Sequence, residues 1–203
     1  MKKYAMVFDA GTGAGRCNLF DMSGRLVSYA YREWEYLKDL SSSNKEAMLF
    51  DAEQFKKILF SLCRKVITQA GISADEIVAV SATSQREGMV WLDRFGKEIY
   101  AAPSVDLRGE EATDILSGKE PFIKEITGLP VSGMFGLARL LWYKKFNEAV
   151  YDRIDTVMMI SDWICYLLCG SKVSEPSVAS SSQLFDVKNG KWSSELLKSV
   201  GLR

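Results

Sequence analysis

The residues able to do chemistry in this chain gather in three short stretches. The first is Asp9-Ala10-Gly11-Thr12-Gly13-Ala14-Gly15-Arg16, which joins two strand-like runs, residues 4–8 and 16–20. Glycine tolerates positive φ and a tight reversal, so the flanking runs can pair as a hairpin. Amides with no side chain in front of them can face a phosphate. Asp9, at a strand end, suits Mg²⁺, which takes carboxylate and phosphate oxygens, and Thr12 adds a hydroxyl. The same residues would equally serve a plain turn in which Asp9 accepts hydrogen bonds from nearby amides. The stretch is no P-loop, because Gly-Lys-Ser/Thr does not follow. Nor is it a dinucleotide fingerprint, because the glycine spacing differs and a strand comes next.

The second stretch is Thr83-Ser84-Gln85-Arg86-Glu87-Gly88. Arg86 offers five guanidinium donors and Glu87 a carboxylate acceptor, the two kinds of partner that adjacent hydroxyls of a sugar or polyol require. A solvated ion pair at a hairpin would use the same residues. The third is Asp106, in Pro103-Ser104-Val105-Asp106-Leu107-Arg108, placed either for polar recognition or to cap the helix that follows. There is no histidine in the chain. Ser-His-Asp and Cys-His pairs and histidine zinc sites are therefore excluded, and proton transfer must rest on carboxylates, Lys, Tyr or Cys.

Three short antiparallel strands are expected at the N-terminus, the third over 25–35 after the turn Asp21-Met22-Ser23-Gly24. The segment 38–45 is polar and reads as a loop. Asp51 is placed to cap a helix that runs to Ala70 and stops at Gly71, with Phe55, Ile58, Leu59, Leu62 and Val66 on one face. Residues 77–82 and 89–92 read as buried strands, the second closed by the turn Asp93-Arg94-Phe95-Gly96. Helices are expected over 108–116 and 135–146. A strand follows over 157–160, then a helix over 162–169 capped by Ser161 and ended by Gly170. A polar loop covers 171–182, and a last helix starts near Ser193. Cys165 and Cys169 share a helix face and read as core packing. Strands alternating with helices make an α/β layout, in which ligands gather at strand ends; Asp9 and Thr83 mark two such ends.

The 203 residues carry 26 Lys plus Arg against 26 Asp plus Glu, a balance that gives no support for a nucleic-acid footprint. Four cysteines without dense spacing do not make a disulfide scaffold. No run reaches the ~18 apolar residues of a membrane span, and Met1-Lys2-Lys3 leads into a short strand rather than a secretory signal. A cytoplasmic protein is expected.

Taken together and in order, these motifs resemble the FGGY carbohydrate kinases, sugar and polyol kinases of the actin-like ATPase superfamily. Asp9-Ala10-Gly11-Thr12 is similar to the family's first phosphate motif, with Arg16 at its following Ser/Arg position. Ser84-Gln85-Arg86-Glu87 is similar to the Gln-Arg-Glu motif of the glycerol kinase branch, and Val105-Asp106-Leu107-Arg108 to the Asp-x-Arg signature. Thr127-Gly128-Leu129-Pro130-Val131 with Leu140-Leu141-Trp142, Met159-Ile160-Ser161-Asp162-Trp163, and Leu184-Phe185-Asp186 through Trp192 also match. Within the family the set looks most like the autoinducer-2 kinases, which phosphorylate a linear five-carbon dihydroxy-dione used in quorum sensing, although Gln85 replaces their Met.

The resemblance implies an actin-like ATPase (ribonuclease H-like) α/β domain with a mixed sheet. Residues 1–203 would form the N-terminal domain, cut before the second phosphate loop and the C-terminal domain. It implies ATP and Mg²⁺, with Asp9 serving the Mg²⁺–nucleotide in catalysis and Gly11, Thr12, Gly13 and Arg16 around the phosphates. Arg86, Glu87 and Asp106 would lie near the sugar, with Met134 where glycerol kinases place a Tyr. The catalytic base, an Asp in a Gly-Asp motif, would lie beyond residue 203. The piece alone is expected to fold, to be inactive, and to self-associate, as a homodimer, through surface its remainder would cover. Other sugar kinases of the family (xylulose, ribulose or glycerol type) and a non-catalytic actin-like ATP-binding protein are the alternatives.

Overall fold

A computed structural model describes residues 3–203. Strands β1 (Tyr4–Ala10), β2 (Ala14–Asp21) and β3 (Leu26–Glu33) form the expected antiparallel meander, and β6 (Ile77–Ser84) joins it parallel to β1, giving the order β3-β2-β1-β6. The sheet is mixed, as expected. Short strands β4 (Leu37–Lys38) and β5 (Met48–Leu49) pair at the two ends of the polar segment, which is a loop as expected.

Helix α1 (Ala52–Ala70) connects the meander to β6. Asp51 accepts a hydrogen bond from the Gln54 amide at its start, and Gly71, with φ +63°, closes its end. Its buried residues are the five expected from spacing, Phe55, Ile58, Leu59, Leu62 and Val66. They pack on Tyr4, Met6, Phe8, Cys17 and Leu19, the inward residues of β1 and β2, because successive strand side chains point to opposite faces.

A second sheet, order β8-β7-β9, comprises β7 (Met89–Leu92), β8 (Glu98–Ala102) and β9 (Thr156–Met159). All four β7 residues are buried, since the strand lies between two cores. Val90 and Leu92 face the first, while Met89 and Trp91 face a second core that includes Leu137, Leu140 and Leu141. Those leucines belong to α3 (Gly136–Phe146), which is buried nearly all round and so lacks a polar face.

Several elements differ from expectation. Residues 108–116 form the expected helix, as 3₁₀, whereas β6, read as a buried strand, is largely exposed because it lies at the sheet edge. Helix α2 (Glu120–Thr127) was not anticipated; it is short, with Pro near its start. Helix α4 (Glu148–Tyr151) is a single turn. Helix α5 (Ile160–Cys169) begins before Ser161, which therefore does not cap it; the Ser161 amide donates instead to Ser84 Oγ at 3.0 Å, tying α5 to the end of β6. Asp162 accepts from the Glu175 amide and anchors the following loop. That loop holds a helical turn, α6 (Pro176–Ala179), continued as 3₁₀ through Ser182. Cys169 is exposed and Cys165 half-buried, so the pair is not core. Strands β10 (Phe185–Asp186) and β11 (Lys191–Trp192) precede α7 (Ser194–Ser199), capped by Ser193 as expected.

Candidate active site

The acid-bearing turn sits at the C-terminal end of β1. Asp9 faces Arg16 across the hairpin, and Arg16 Nη1 lies 3.3 Å from Asp9 Oδ2, with 36% of the Asp9 side chain and 56% of the Arg16 side chain exposed. The pair is open to solvent and worth little as a stabilising contact, so either group is free to exchange it for a ligand. The Gly11 amide donates to the Ala14 carbonyl at 2.9 Å and is consumed by the turn. Thr12 and Gly13, both exposed, are left as the amides best placed to meet an anion.

The positive φ expected of the turn glycines is not used. None of Gly11, Gly13 and Gly15 has positive φ. Gly15 is needed because the Trp34 indole lies against it: an added Cβ would stand 2.4 Å from Trp34 Cζ3. Trp34 also grips the turn with its amide on the Gly13 carbonyl (3.1 Å) and its Nε1 on the Thr12 carbonyl (3.3 Å). No local pattern marks Trp34 for this work; the contact depends on β3 folding back alongside β2.

The second stretch emerges beside the first. In the parallel pair, Asp9 is in register with Thr83 and Ala10 with Ser84, and the Gln85 amide donates to the Ala10 carbonyl at 2.8 Å. Gln85 Nε2 reaches the Gly11 carbonyl (3.4 Å) and the Tyr36 hydroxyl (2.8 Å), while its Oε1 accepts from the Ser104 amide and hydroxyl. Arg86 is exposed. Glu87 is half-buried with φ +60°, one of two non-glycine residues with positive φ among those described. Burial pushes the Glu87 carboxyl above its ordinary value, against the opposing pull of Arg86 and Arg139.

Asp106 lies behind this surface. It is wholly buried and its carboxylate accepts from Arg108 Nε (2.8 Å), the Met48 amide (3.1 Å) and the Tyr100 hydroxyl. Arg108, equally buried, also bonds Asp39 (2.9 Å) and the Tyr143 hydroxyl (2.7 Å), with its guanidinium over three aromatic rings. Burial keeps the Tyr100 hydroxyl protonated and donating by pushing its pKa well up. Asp106 therefore organises the protein behind the Arg86–Glu87 stretch rather than presenting free oxygens. Met134 is half-buried in the loop before α3, its amide donating to Ser132 Oγ. A cavity of about 630 Å³ lies elsewhere, lined by Leu140, Tyr151, Leu184 and Leu197 among others, and includes none of these residues.

A strand-end acid with free amides, one strand from an Arg-Glu pair, is the arrangement by which a domain can bring a phosphate donor and a hydroxyl acceptor together. Residues 4–203 match the model of the FGGY family of carbohydrate kinases, N-terminal domain. The chain belongs to that family. It is 34% identical over 206 residues to an autoinducer-2 kinase of Salmonella paratyphi B, covering 98% of this chain and 38% of that protein. It is 34% identical over 211 residues to an autoinducer-2 kinase of Escherichia coli strain ATCC 8739, covering 100% and 38%. The FGGY chain thus spans well under half the length of these curated relatives. A xylulose kinase from Brucella ovis superposes with TM-score 0.86 at 22% identity, covering 97% of this chain and 40% of that one. Plasmodium falciparum glycerol kinase with ADP gives 0.83 at 20%, covering 99% and 42%. The fold is the actin-like, ribonuclease H-like α/β fold of the FGGY sugar kinases.

Among the described residues no three His, Cys, Asp or Glu side chains gather to hold a metal. A lone, half-exposed Asp9 beside free amides still fits Mg²⁺, which commonly keeps its waters and the substrate phosphates and takes one or two carboxylates. No described helix is long and apolar enough to cross a membrane.

Proposed function

We propose that this chain is the N-terminal domain of an ATP-dependent kinase more than twice its length, which phosphorylates a hydroxyl of a small sugar, a polyol or an autoinducer-2-type dihydroxy-dione. The observation that carries the reading is the parallel register of β1 and β6, which brings the Asp9 turn and the Arg86–Glu87 pair out at the same sheet end. Phosphoryl transfer asks little covalent work of a protein and depends on positioning and charge neutralisation.

In this reading Asp9 orients Mg²⁺ and the nucleotide, and the Thr12 and Gly13 amides, the Thr12 hydroxyl and Arg16 meet phosphate oxygens. Mg²⁺, when bound, neutralises charge developing on the bridging and terminal phosphates. Arg86 and Glu87 donate to and accept from neighbouring hydroxyls of the acceptor, and Met134 lines the same side without an aromatic wall. Asp106 acts from behind, by fixing the loop that carries Ser104. The acceptor oxygen attacks the γ-phosphorus, the bond to the departing ADP oxygen breaks, and the hydroxyl proton passes to a carboxylate in the part of the kinase beyond this domain. The 203-residue domain alone is therefore inactive. The free edge of β6, with Val78 and Val80 exposed, supports self-association of the isolated domain as a homodimer, because open apolar strand edges pair readily.

The test is an ADP-release assay of the complete enzyme against pentuloses, polyols including glycerol, and the dihydroxy-dione. Turnover on the dione and little on glycerol is expected, and the reverse overturns the substrate assignment. Asp9→Asn is expected to abolish turnover with the fold intact; unchanged turnover removes its role.

A further inference from the structure

Arg139, on α3, takes no part in the site as described above, yet its side chain is fully buried. Its Nη1 donates to the Glu87 carbonyl at 3.0 Å and its Nη2 to the Ser104 carbonyl at 3.2 Å. Its remaining contacts are poor: the Tyr100 hydroxyl at 3.4 Å, Asp106 Oδ2 at 4.0 Å from Nε, and no hydrogen-bond partner for Nε. A buried guanidinium left partly unmatched is costly. Arg108 and Arg139 together balance Asp39 and Asp106, but at 4.0 Å from Asp106 that balance does not set where the Arg139 fork points. The two good hydrogen bonds go to the backbone of two loops, and one of them holds a residue in an unusual shape. Glu87 adopts the left-handed region that residues other than glycine rarely enter. Such outliers persist where surrounding structure enforces them. Beyond Arg139, the one hydrogen bond to the Glu87 backbone among the described residues is a long contact from its amide to Ser181 Oγ, 3.4 Å. The next residue, Gly88, packs closely under α5: a Cβ there would stand 2.6 Å from Ile160 Cδ1.

We infer that Arg139 is a positioning residue whose buried fork clamps the Glu87 and Ser104 carbonyls, and so fixes the Arg86–Glu87 backbone in the one conformation that presents both side chains to the acceptor. The inference rests on the kinase reading for what is presented, and on geometry alone for the clamp. Ser104 extends the clamp further. Its carbonyl is held by Arg139, while its amide and hydroxyl hold Gln85, whose other end reaches the Gly11 carbonyl. One connected set of bonds thus spans acceptor side and nucleotide turn. Arg is suited to this work because its planar fork reaches two acceptors at fixed geometry, which Lys cannot reproduce.

The clamp is tested first on the 203-residue chain by hydrogen–deuterium exchange of Arg139→Lys, which keeps the charge and loses the fork, with Arg139→Met as the second variant. Exchange at residues 85–89 and 103–106 is expected to rise tenfold or more, with α1 unchanged. Unchanged exchange at 85–89 overturns the clamp, as does equally faster exchange everywhere, which would make Arg139 merely structural. In the complete enzyme, Arg139→Lys is expected to raise KM for the acceptor tenfold or more while KM for ATP stays within twofold; equal rises in both overturn the positioning role. Faster local exchange in a protein whose parent phosphorylates no acceptor supports the clamp and refutes the kinase reading alone.

Discussion

Gly15 is the position where a single methyl group should separate the two explanations of the glycine-rich turn. An Ala Cβ there would stand 2.4 and 2.8 Å from two Trp34 ring atoms, against 3.4 Å or more for ordinary contact, so the indole must retreat by about 1 Å. It is poorly placed to do so. Its ring packs on Phe55 with centroids 4.8 Å apart, and it is pinned by hydrogen bonds to Thr12 and Gly13. Overpacking of this kind costs about 1–3 kcal/mol. Reduced freedom of the unfolded chain returns about 0.4–1 kcal/mol; with a ring clash at 2.4 Å placing the cost in the upper half of its range, about 2–3 kcal/mol, Gly15→Ala is left destabilised by about 1–2.6 kcal/mol. For a domain of this size that lowers Tm by about 2–10 °C. Gly13→Ala is the internal control: nothing lies within 4 Å of its Cβ and its φ is not positive, so it should be neutral or stabilised by up to about 1 kcal/mol. The assay is urea unfolding followed by far-UV circular dichroism, repeated in a Trp34→Leu background, where the cost of Gly15→Ala should fall below about 0.5 kcal/mol because non-additivity reports direct contact. An equal cost in both backgrounds, or an equal cost for Gly13→Ala, would refute the reasoning.

The buried Asp106–Arg108 pair predicts a different pattern. Arg108→Met strands a buried carboxylate and should cost about 3–5 kcal/mol, whereas Asp106→Asn with Arg108→Met should cost less than Arg108→Met alone, as read by the same urea unfolding. Glu87 predicts a pH dependence. Because burial raises its pKa above the ordinary 4.5, the native state holds that proton more tightly than the unfolded chain. Stability is then fullest below about pH 4.5 and declines as pH rises through the raised value. Glu87→Gln should therefore be more stable than the parent at pH 7, with the gap in Tm closing as the pH falls to 4; a gap that widens toward acid would contradict it.

What could be read from residue order was whatever is settled within about one turn or one strand. The α1 stripe, its Asp51 cap and its Gly71 stop depend on neighbours three or four residues apart, and all three are present. The strand-end positions of Asp9 and Thr83 follow from strand boundaries, and their adjacency from the parallel pairing that an intervening helix permits.

The readings that shifted did so where the deciding partner is distant in sequence. Val105-Asp106-Leu107-Arg108 reads locally as polar recognition or a cap, and only Tyr100, Tyr143 and Asp39, converging from three other segments, turn it into a closed ionic core. Arg139 reads as one polar residue in an apolar helix; its use appears only where β6 and β8 end beside α3. The turn glycines carry the most general lesson. Positive φ and close approach both call for the absence of a Cβ, so composition cannot distinguish them. The indole of Trp34, nineteen residues after Gly15, decides it. Local chemistry thus nominates the acid-bearing turn, while its support comes from a side chain just beyond another strand. The buried supports Trp34, Arg108 and Arg139 are accordingly where substitutions should disturb the geometry of this site without removing any group that meets a ligand.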